Sequence, residues 1–251
     1  MIELKNIHKS FGKQKVLRGI DLTIPKGKIT VILGASGCGK TVLLRHIIGL
    51  FTPEQGKVIV DGTDINKLSR HELNEFRKRF GMVFQHAALF DSLTVTENIA
   101  FPLVEHDRER DPKKISRIVK EKLKLVGLPD AAEKMPSELS GGMRKRVGLA
   151  RALALEPRII LYDEPTTGLD PIMTVAIDNL ILSMQQELSV TSVVISHDIQ
   201  SSLRVADQIA MMHEGKVIEC APPEAFQASP QSVVQDFLQA AHRANHKGRT
   251  Q

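Results

Sequence analysis

A glycine-rich segment carries the clearest chemical pattern in this sequence. Residues 34–41 fit G-x-x-x-x-G-K-[ST], the pattern of a phosphate-binding loop (P-loop). Its glycines let backbone N–H groups face phosphates, its lysine places a positive charge on the β- and γ-phosphates, and its hydroxyl can ligate Mg²⁺. The predicted nucleotide-binding residues here are Gly34, Ala35, Ser36, Gly37, Cys38, Gly39, Lys40, Thr41 and Val42.

Two carboxylates follow a second apolar run, residues 159–162. Asp163 and Glu164 therefore end a predicted buried strand, and ligands bind at such ends in open parallel sheets. Asp163 is predicted to hold Mg²⁺, directly or through water, and Glu164 to act as general base on the attacking water. Two acids that merely end a strand are the alternative, which an upstream P-loop disfavours.

A third pattern, Ser140-Gly141-Gly142, precedes a predicted helix. The N-terminus of that helix offers a second anion-binding surface in the same chain. The basic residues 144–146 that follow are expected to form a solvated helix face rather than to bind phosphate.

Cys38 stands where serine is common in such a loop. A thiol at a helix N-terminus is expected to have a lowered pKa. Alkylation of Cys38 should then inactivate the protein, and bound nucleotide should protect it.

The elements that must position these residues alternate between strand and helix. Residues 28–33 form an apolar strand before the loop, and the helix after it ends at Gly49. Further apolar runs separated by helices predict an α/β fold with a mostly parallel sheet. The alternating pattern near the N-terminus predicts an antiparallel β subdomain, and residues 91–155 predict an inserted α-helical subdomain.

Composition limits the class of protein. The chain has 251 residues, a net charge of +5 and two cysteines. Two cysteines do not make a disulfide framework, which favours a reducing cytosol as the compartment. No signal peptide is expected, and no apolar run approaches the roughly 18 residues that cross a bilayer. The charge balance gives no reason to expect a nucleic-acid partner.

Together these motifs resemble, in order and over about residues 1–225, the ATP-binding subunits of ABC transporters, with a P-loop NTPase core. The resemblance implies that Phe11 stacks on adenine, that Gln85 contacts Mg²⁺ and water, and that His197 contacts the γ-phosphate. It assigns Ser140, Gly141 and Gly142 to the signature loop and Asp170 to the D-loop. It also implies a homodimer in which ATP lies between the P-loop of one subunit and the signature loop of the other.

Several stretches, among them residues 84–92 and 136–146, further resemble the ATPases of Mla-type phospholipid transport systems. Met143, where most ABC ATPases have glutamine, is usual in that group. The resemblance implies ATP and Mg²⁺ as ligands and a place on the cytoplasmic face of the inner membrane. The implied partners are two permease subunits, an MCE-type lipid-binding protein and, in some systems, a STAS-domain protein. Residues 87–90 are expected to receive a permease helix.

The expected organisation is one ATPase domain, residues 1–229, followed by a C-terminal helix and frayed tail, residues 230–251. Three other functions stay open at this point: an importer of amino acids or another small solute, a soluble ABC-type ATPase, and a nucleotide-binding module that does not hydrolyse ATP. A single P-loop and the absence of sustained heptads disfavour the soluble class. Glu164 disfavours the last, because the predicted base is present.

Overall fold

The computed structural model describes residues 1–106 and 111–247. The chain forms two compact units. Unit 1 comprises Met1–Leu68 and the chain from Val193 onward, and unit 2 comprises Ser69–Ser192. Each unit has its own set of buried apolar side chains.

Unit 1 contains an antiparallel sheet with strand order β2-β1-β4-β5. Ile2 lies opposite Ile24 on one neighbouring strand and opposite Val60 on the other, and all three are fully buried. The alternating pattern of the sequence predicted this sheet because alternate side chains of a strand point to opposite faces. The strands are β1 (Ile2–Phe11), β2 (Gln14–Ile24), β4 (Gln55–Val60) and β5 (Thr63–Asp64).

Unit 1 also contains three strands of a second sheet, β3, β9 and β10. β3 (Ile29–Leu33) is buried at every residue and pairs in parallel with β9 (Gln208–His213). β9 pairs antiparallel with β10 (Lys216–Ala221), a strand that the sequence did not predict. The helices of this unit are α1 (Lys40–Ile47), α7 (Ile199–Val205), α8 (Pro223–Gln227) and α9 (Ser232–Lys247).

Unit 2 pairs β6 (Phe80–Val83) in parallel with β7 (Ile159–Asp163). β8 (Thr191–Ser196) begins in unit 2 and ends in unit 1. The helices of unit 2 are α2 (Arg70–Arg77), α3 (Val95–His106), α4 (Pro112–Leu125), α5 (Gly141–Ala152) and α6 (Pro171–Leu188). Helices α3, α4 and α5 pack on one another.

Side-chain caps set the starts of several helices. Ser69 and Glu72 form a complete capping box on α2, and Thr94 and Glu97 exchange the same pair of hydrogen bonds at the start of α3. Asp111 caps α4, with proline at its first position.

The domain boundaries at residues 91, 155 and 229 stay predictions. The predicted C-terminal helix is present as α9, with Val234 and Leu238 buried, and the predicted frayed tail falls partly on residues 248–251, outside the described residues. Among the described residues, no helix combines the length and the apolar character that crossing a membrane requires.

Candidate functional site

The predicted P-loop connects β3 to α1 within unit 1. Gly39 is the N-cap residue of α1, with φ 105°. Because glycine has no side chain, the first N–H groups of α1 are not satisfied by a side-chain cap and can donate to phosphate oxygens. Ala35, Ser36 and Gly37 lie exposed at the turn of the loop, while Thr41 and Val42 are half-buried in the first turn of the helix.

Lys40 is almost completely buried, with 6% of its surface exposed. Its Nζ donates hydrogen bonds to the backbone oxygen of Gly34 at 2.8 Å and of Ala35 at 3.1 Å. An ammonium has three donors, so these two bonds orient the charge inside the loop and leave a third for a ligand.

The glycines of the loop meet different constraints. A Cβ on Gly34 would lie 2.5 Å from the backbone oxygen of Met212 on β9, which is too close for any side chain. Gly37 has open space around it, but its φ of 80° lies in the left-handed region that favours glycine.

The expectation of a lowered pKa for Cys38 is wrong. Burial raises the pKa of the Cys38 thiol, and this effect exceeds the lowering by the charge of Lys40 and by backbone N–H groups. The sequence shows the helix N-terminus but not how far the thiol is removed from water.

Phe11 and His197 also belong to unit 1. Phe11 ends β1, with 44% of its surface exposed, and its ring contacts Phe51 edge-on at a centroid distance of 5.6 Å. His197 is an exposed residue directly after β8, where Asp198 caps α7 by accepting hydrogen bonds from two backbone N–H groups.

In unit 2, Asp163 is the last residue of β7 and Glu164 follows it, as predicted. Glu164 adopts a left-handed backbone conformation with φ 53°. Such a conformation is uncommon outside glycine, asparagine and aspartate, and it turns the chain sharply after the strand. The hydroxyl of Thr167 donates a hydrogen bond of 2.9 Å to Glu164 Oε2. The structure thus fixes the position of the predicted base.

The predicted signature loop lies at the start of α5. Ser140 is its N-cap and its Oγ accepts a hydrogen bond from the backbone N–H of Met143 at 3.3 Å. Gly142 is buried. A Cβ added at this position would overlap Cε of Met173 on α6. Asp170, the predicted D-loop residue, caps α6 through a 2.9 Å bond from the N–H of Met173.

The expectation that residues 144–146 form a solvated face is wrong for Lys145. Only 8% of its surface is exposed, and its Nζ donates to the backbone oxygens of Pro165 at 2.7 Å and Thr167 at 2.8 Å. Burial lowers the pKa of Lys145, and the nearby charge of Glu164 partly opposes this. Lys145 therefore connects α5 to the loop after Glu164.

Gln85 is half-buried after β6. Beyond it Ala87 and Ala88 are both left-handed, with φ 60° and 47°. The two terminal nitrogens of Arg151 donate to their backbone oxygens at 2.7 Å each, a forked arrangement that suits a planar guanidinium. The loop after Gln85 is thus held in a conformation that alanine rarely adopts.

A groove of about 330 Å³ lies beside this loop in unit 2. Four phenylalanines line it. Phe80 is buried, whereas Phe84, Phe90 and Phe101 each have 38–43% of their surface exposed. Arg77 and Arg151 add positive charge to its wall. Asn98 holds the Phe90 backbone in place, accepting from its N–H at 2.8 Å and donating to its carbonyl at 3.1 Å.

Comparison with known proteins gives concordant results. The family model described as "ABC transporter" matches residues 17–167. A dimeric post-hydrolysis structure of the ATP-binding cassette MJ0796 bound to ADP and Pi has a TM-score of 0.81 at 33% identity, covering 89% of this chain and 99% of that one. The predicted fold, a P-loop ABC ATPase core with an antiparallel subdomain and a mostly parallel sheet, is confirmed.

Two curated relatives match nearly the whole chain. The intermembrane phospholipid transport ATP-binding protein MlaF of Haemophilus influenzae is 45% identical, over 95% of this chain and 90% of that protein. The probable ribonucleotide transport ATP-binding protein mkl of Mycobacterium tuberculosis is 45% identical over 94% of this chain. The chain spans only 66% of the length of that mycobacterial relative.

Proposed function

Because this chain belongs to the family of ABC transporter ATPases, we propose that it is the ATP-hydrolysing subunit of a system that moves phospholipid between the inner and outer membranes. The observation that carries the choice of substrate is the 45% identity to MlaF over 90% of that protein's length. The P-loop, the acidic pair after β7 and the signature loop supply the residues that ATP hydrolysis requires.

Each residue then has a defined role in hydrolysis. The N–H groups at the start of α1 and the ammonium of Lys40 bind the phosphates, while Phe11 stacks on adenine. Glu164 removes a proton from the water that attacks the γ-phosphate, and the bond to the leaving ADP oxygen breaks. Lys40 and His197 stabilise the charge that develops on the transferred group.

The chemistry of three side chains fits a magnesium ion. Thr41 offers a hydroxyl, Asp163 a carboxylate and Gln85 an amide oxygen, and Mg²⁺ prefers oxygen ligands together with substrate phosphates. When bound, the ion neutralises charge on the β- and γ-phosphates. Among residues 1–106 and 111–247, no three His, Cys, Asp or Glu residues are grouped so that they could hold a metal ion.

The assembly we propose is a homodimer of this chain beneath two permease subunits, on the cytoplasmic face of the inner membrane. In the dimer, Ser140, Gly141, Gly142 and Asp170 of one subunit face the nucleotide of the other. The aromatic groove near Phe90 receives a permease helix, because it is apolar, exposed and adjacent to the loop after Gln85. An MCE-type lipid-binding protein and, in some systems, a STAS-domain protein complete the assembly.

A second candidate substrate class is a small solute, since the mycobacterial relative is named for ribonucleotide transport. The same ATPase chemistry would drive either system. We favour phospholipid because the chain matches MlaF over nearly that protein's full length.

Co-purification tests this choice. A tagged chain is solubilised from membranes in mild detergent, and its protein partners and bound lipid are identified by mass spectrometry. A permease with an MCE-domain protein and bound phospholipid supports the proposal. Recovery of a different permease with a solute-binding protein would support the ATPase assignment and overturn the assignment of phospholipid as substrate. Recovery without any membrane protein would overturn the transporter assignment.

A further inference from the structure

Three aromatic side chains of unit 1 form a continuous row. The Phe51 ring lies between the other two, with its centroid 5.6 Å from that of Phe11 and 5.7 Å from that of His46. The interplanar angles are 63° and 65°, so both contacts are edge-to-face. Aromatic pairs favour this geometry because the positive edge of one ring meets the negative face of the other.

The backbone fixes Phe51 independently of its ring contacts. Phe51 follows α1 closely, and its N–H donates to the backbone oxygen of Arg45 at 3.1 Å, while Leu50 donates to the same oxygen at 2.8 Å. The guanidinium carbon of Arg45 also lies 5.5 Å from the centre of the Phe51 ring. The ring is therefore held at the C-terminal end of the helix whose N-terminus forms the P-loop.

The segment after Phe51 is bonded to β1 near Phe11. Lys9 Nζ donates to the backbone oxygen of Thr52 at 3.2 Å, and Glu54 Oε1 accepts from the N–H of Ser10 at 3.0 Å. Phe11 ends this strand, and its register partner across the turn to β2 is Gln14. The pairing of β1 with β4 ends at His8, so among the described strands Phe11 pairs with β2 only. Its half-exposed ring is supported by the edge-to-face contact with Phe51.

His46 closes the row on the buried side. Its side chain is fully buried, and its Nδ1 lies 2.7 Å from the backbone oxygen of Val42. Burial lowers the pKa of His46, so the imidazole is neutral near pH 7. The neutral ring packs against Phe51 as an aromatic group.

We propose that Phe51 is a positioning residue for nucleotide binding: it holds the Phe11 ring in the orientation that stacks on adenine, and does not itself touch the nucleotide. The inference rests on the role proposed above for Phe11. It links the two ends of α1 in function, since the start of the helix binds phosphate and its end supports the ring that binds the base.

The test separates base recognition from phosphate recognition. Dissociation constants of ATP and of inorganic tripolyphosphate, with magnesium present, are measured by calorimetry for the wild type, Phe51→Ala, Phe51→Tyr, Phe11→Ala and the double alanine variant. Tripolyphosphate has no base, so its binding reports whether the P-loop is intact.

We expect Phe51→Ala to weaken ATP binding roughly threefold to tenfold, the effect of losing one aromatic pair. Tripolyphosphate binding should be unchanged, Phe51→Tyr should restore ATP binding, and the double variant should bind ATP no more weakly than Phe11→Ala. Equal losses for both ligands would overturn the inference, because they would indicate a general structural role.

Two further results distinguish this inference from the proposal on which it rests. If Phe11→Ala weakens ATP binding and Phe51→Ala does not, Phe51 has no positioning role although Phe11 still binds adenine. If Phe11→Ala leaves ATP binding unchanged, the adenine-stacking role of Phe11 fails, and the role of Phe51 fails with it.

Discussion

The hydroxyl of Thr167 donates a hydrogen bond of 2.9 Å to Oε2 of Glu164. Glu164 also lies in a left-handed backbone conformation, with φ 53°, directly after β7. A side chain held in this way has little freedom to lose, which is what the proposed role of Glu164 as a positioned general base requires.

Replacing Glu164 with glutamine removes the proposed base and keeps the shape of the side chain. We expect the rate of ATP hydrolysis to fall by a factor of about 10²–10⁴, the usual contribution of general base catalysis. ATP binding should remain, and ATP should stabilise a dimer visible by size-exclusion chromatography. Glu187→Gln, at an exposed position of α6, is the matched control. Normal turnover by Glu164→Gln would show that another group is the base.

Replacing Thr167 with valine removes the hydrogen bond and preserves the branched shape. We expect kcat to fall severalfold with little change in the KM for ATP, because the bond orients the base and does not bind nucleotide. Thr167→Ser keeps the hydroxyl and should hydrolyse ATP at close to the normal rate. A change in KM alone would contradict this role.

Alkylation of Cys38 should be slow at neutral pH. Its raised pKa leaves little thiolate at pH 7, and the thiolate is the reactive form. The rate of reaction with iodoacetamide should keep rising as the pH passes the ordinary thiol value of 9.0. ATP should slow the reaction. The measurement uses a Cys220→Ser background, and a rate that levels off by pH 7 would contradict the raised pKa.

Asn98→Leu should destabilise unit 2. The Asn98 side chain is fully buried, accepts from the N–H of Phe90 and donates to the oxygens of Phe90, Leu93 and Thr94. Leucine would remove the side-chain partner of the Phe90 N–H and of the Leu93 oxygen, at a cost of about 1–3 kcal/mol for each that stays dry. The oxygens of Phe90 and Thr94 would still accept from the backbone N–H groups of Leu93 and residue 98. Urea unfolding measures the loss, and the exposed Asn179→Leu should change stability by less than about 0.5 kcal/mol.

His46 should make stability depend on pH in the acidic range. Burial lowers its folded-state pKa below the ordinary value of 6.5, so the unfolded chain binds a proton more readily. The free energy of unfolding should therefore fall as the pH drops from 6.5 toward the folded-state pKa. Urea unfolding at pH 7 and 5 should show a smaller fall for His46→Leu than for the wild type, and equal falls would exclude this contribution.

Local patterns made much of the fold predictable. The P-loop, the capping boxes at Ser69 and Thr94, and the Asp111 cap each depend on residues within a few positions of one another, so the sequence contains the whole interaction. The same holds for Asp163 and Glu164, whose place after a strand follows from the apolar run before them.

Contacts between distant residues could not be predicted in this way. The buried Lys145 bonds residues 20 and 22 positions away, and Arg151 bonds residues 63 and 64 positions away. The sequence around Lys145 is typical of an exposed basic helix, and only packing shows otherwise. The prediction of a lowered pKa for Cys38 was wrong for a related reason. The burial of its thiol depends on the packing of the whole unit and not on the motif alone.

The close approach of Gly34 to the Met212 backbone has an evolutionary consequence. Met212 belongs to β9, so the glycine at position 34 is required by the packing of the sheet, whether or not a nucleotide binds. Gly37 has open space, and there only the backbone angle limits the choice of residue. In a descendant that no longer binds nucleotides, we expect asparagine to be tolerated at position 37. Position 34 should remain glycine, although the rest of the motif is lost.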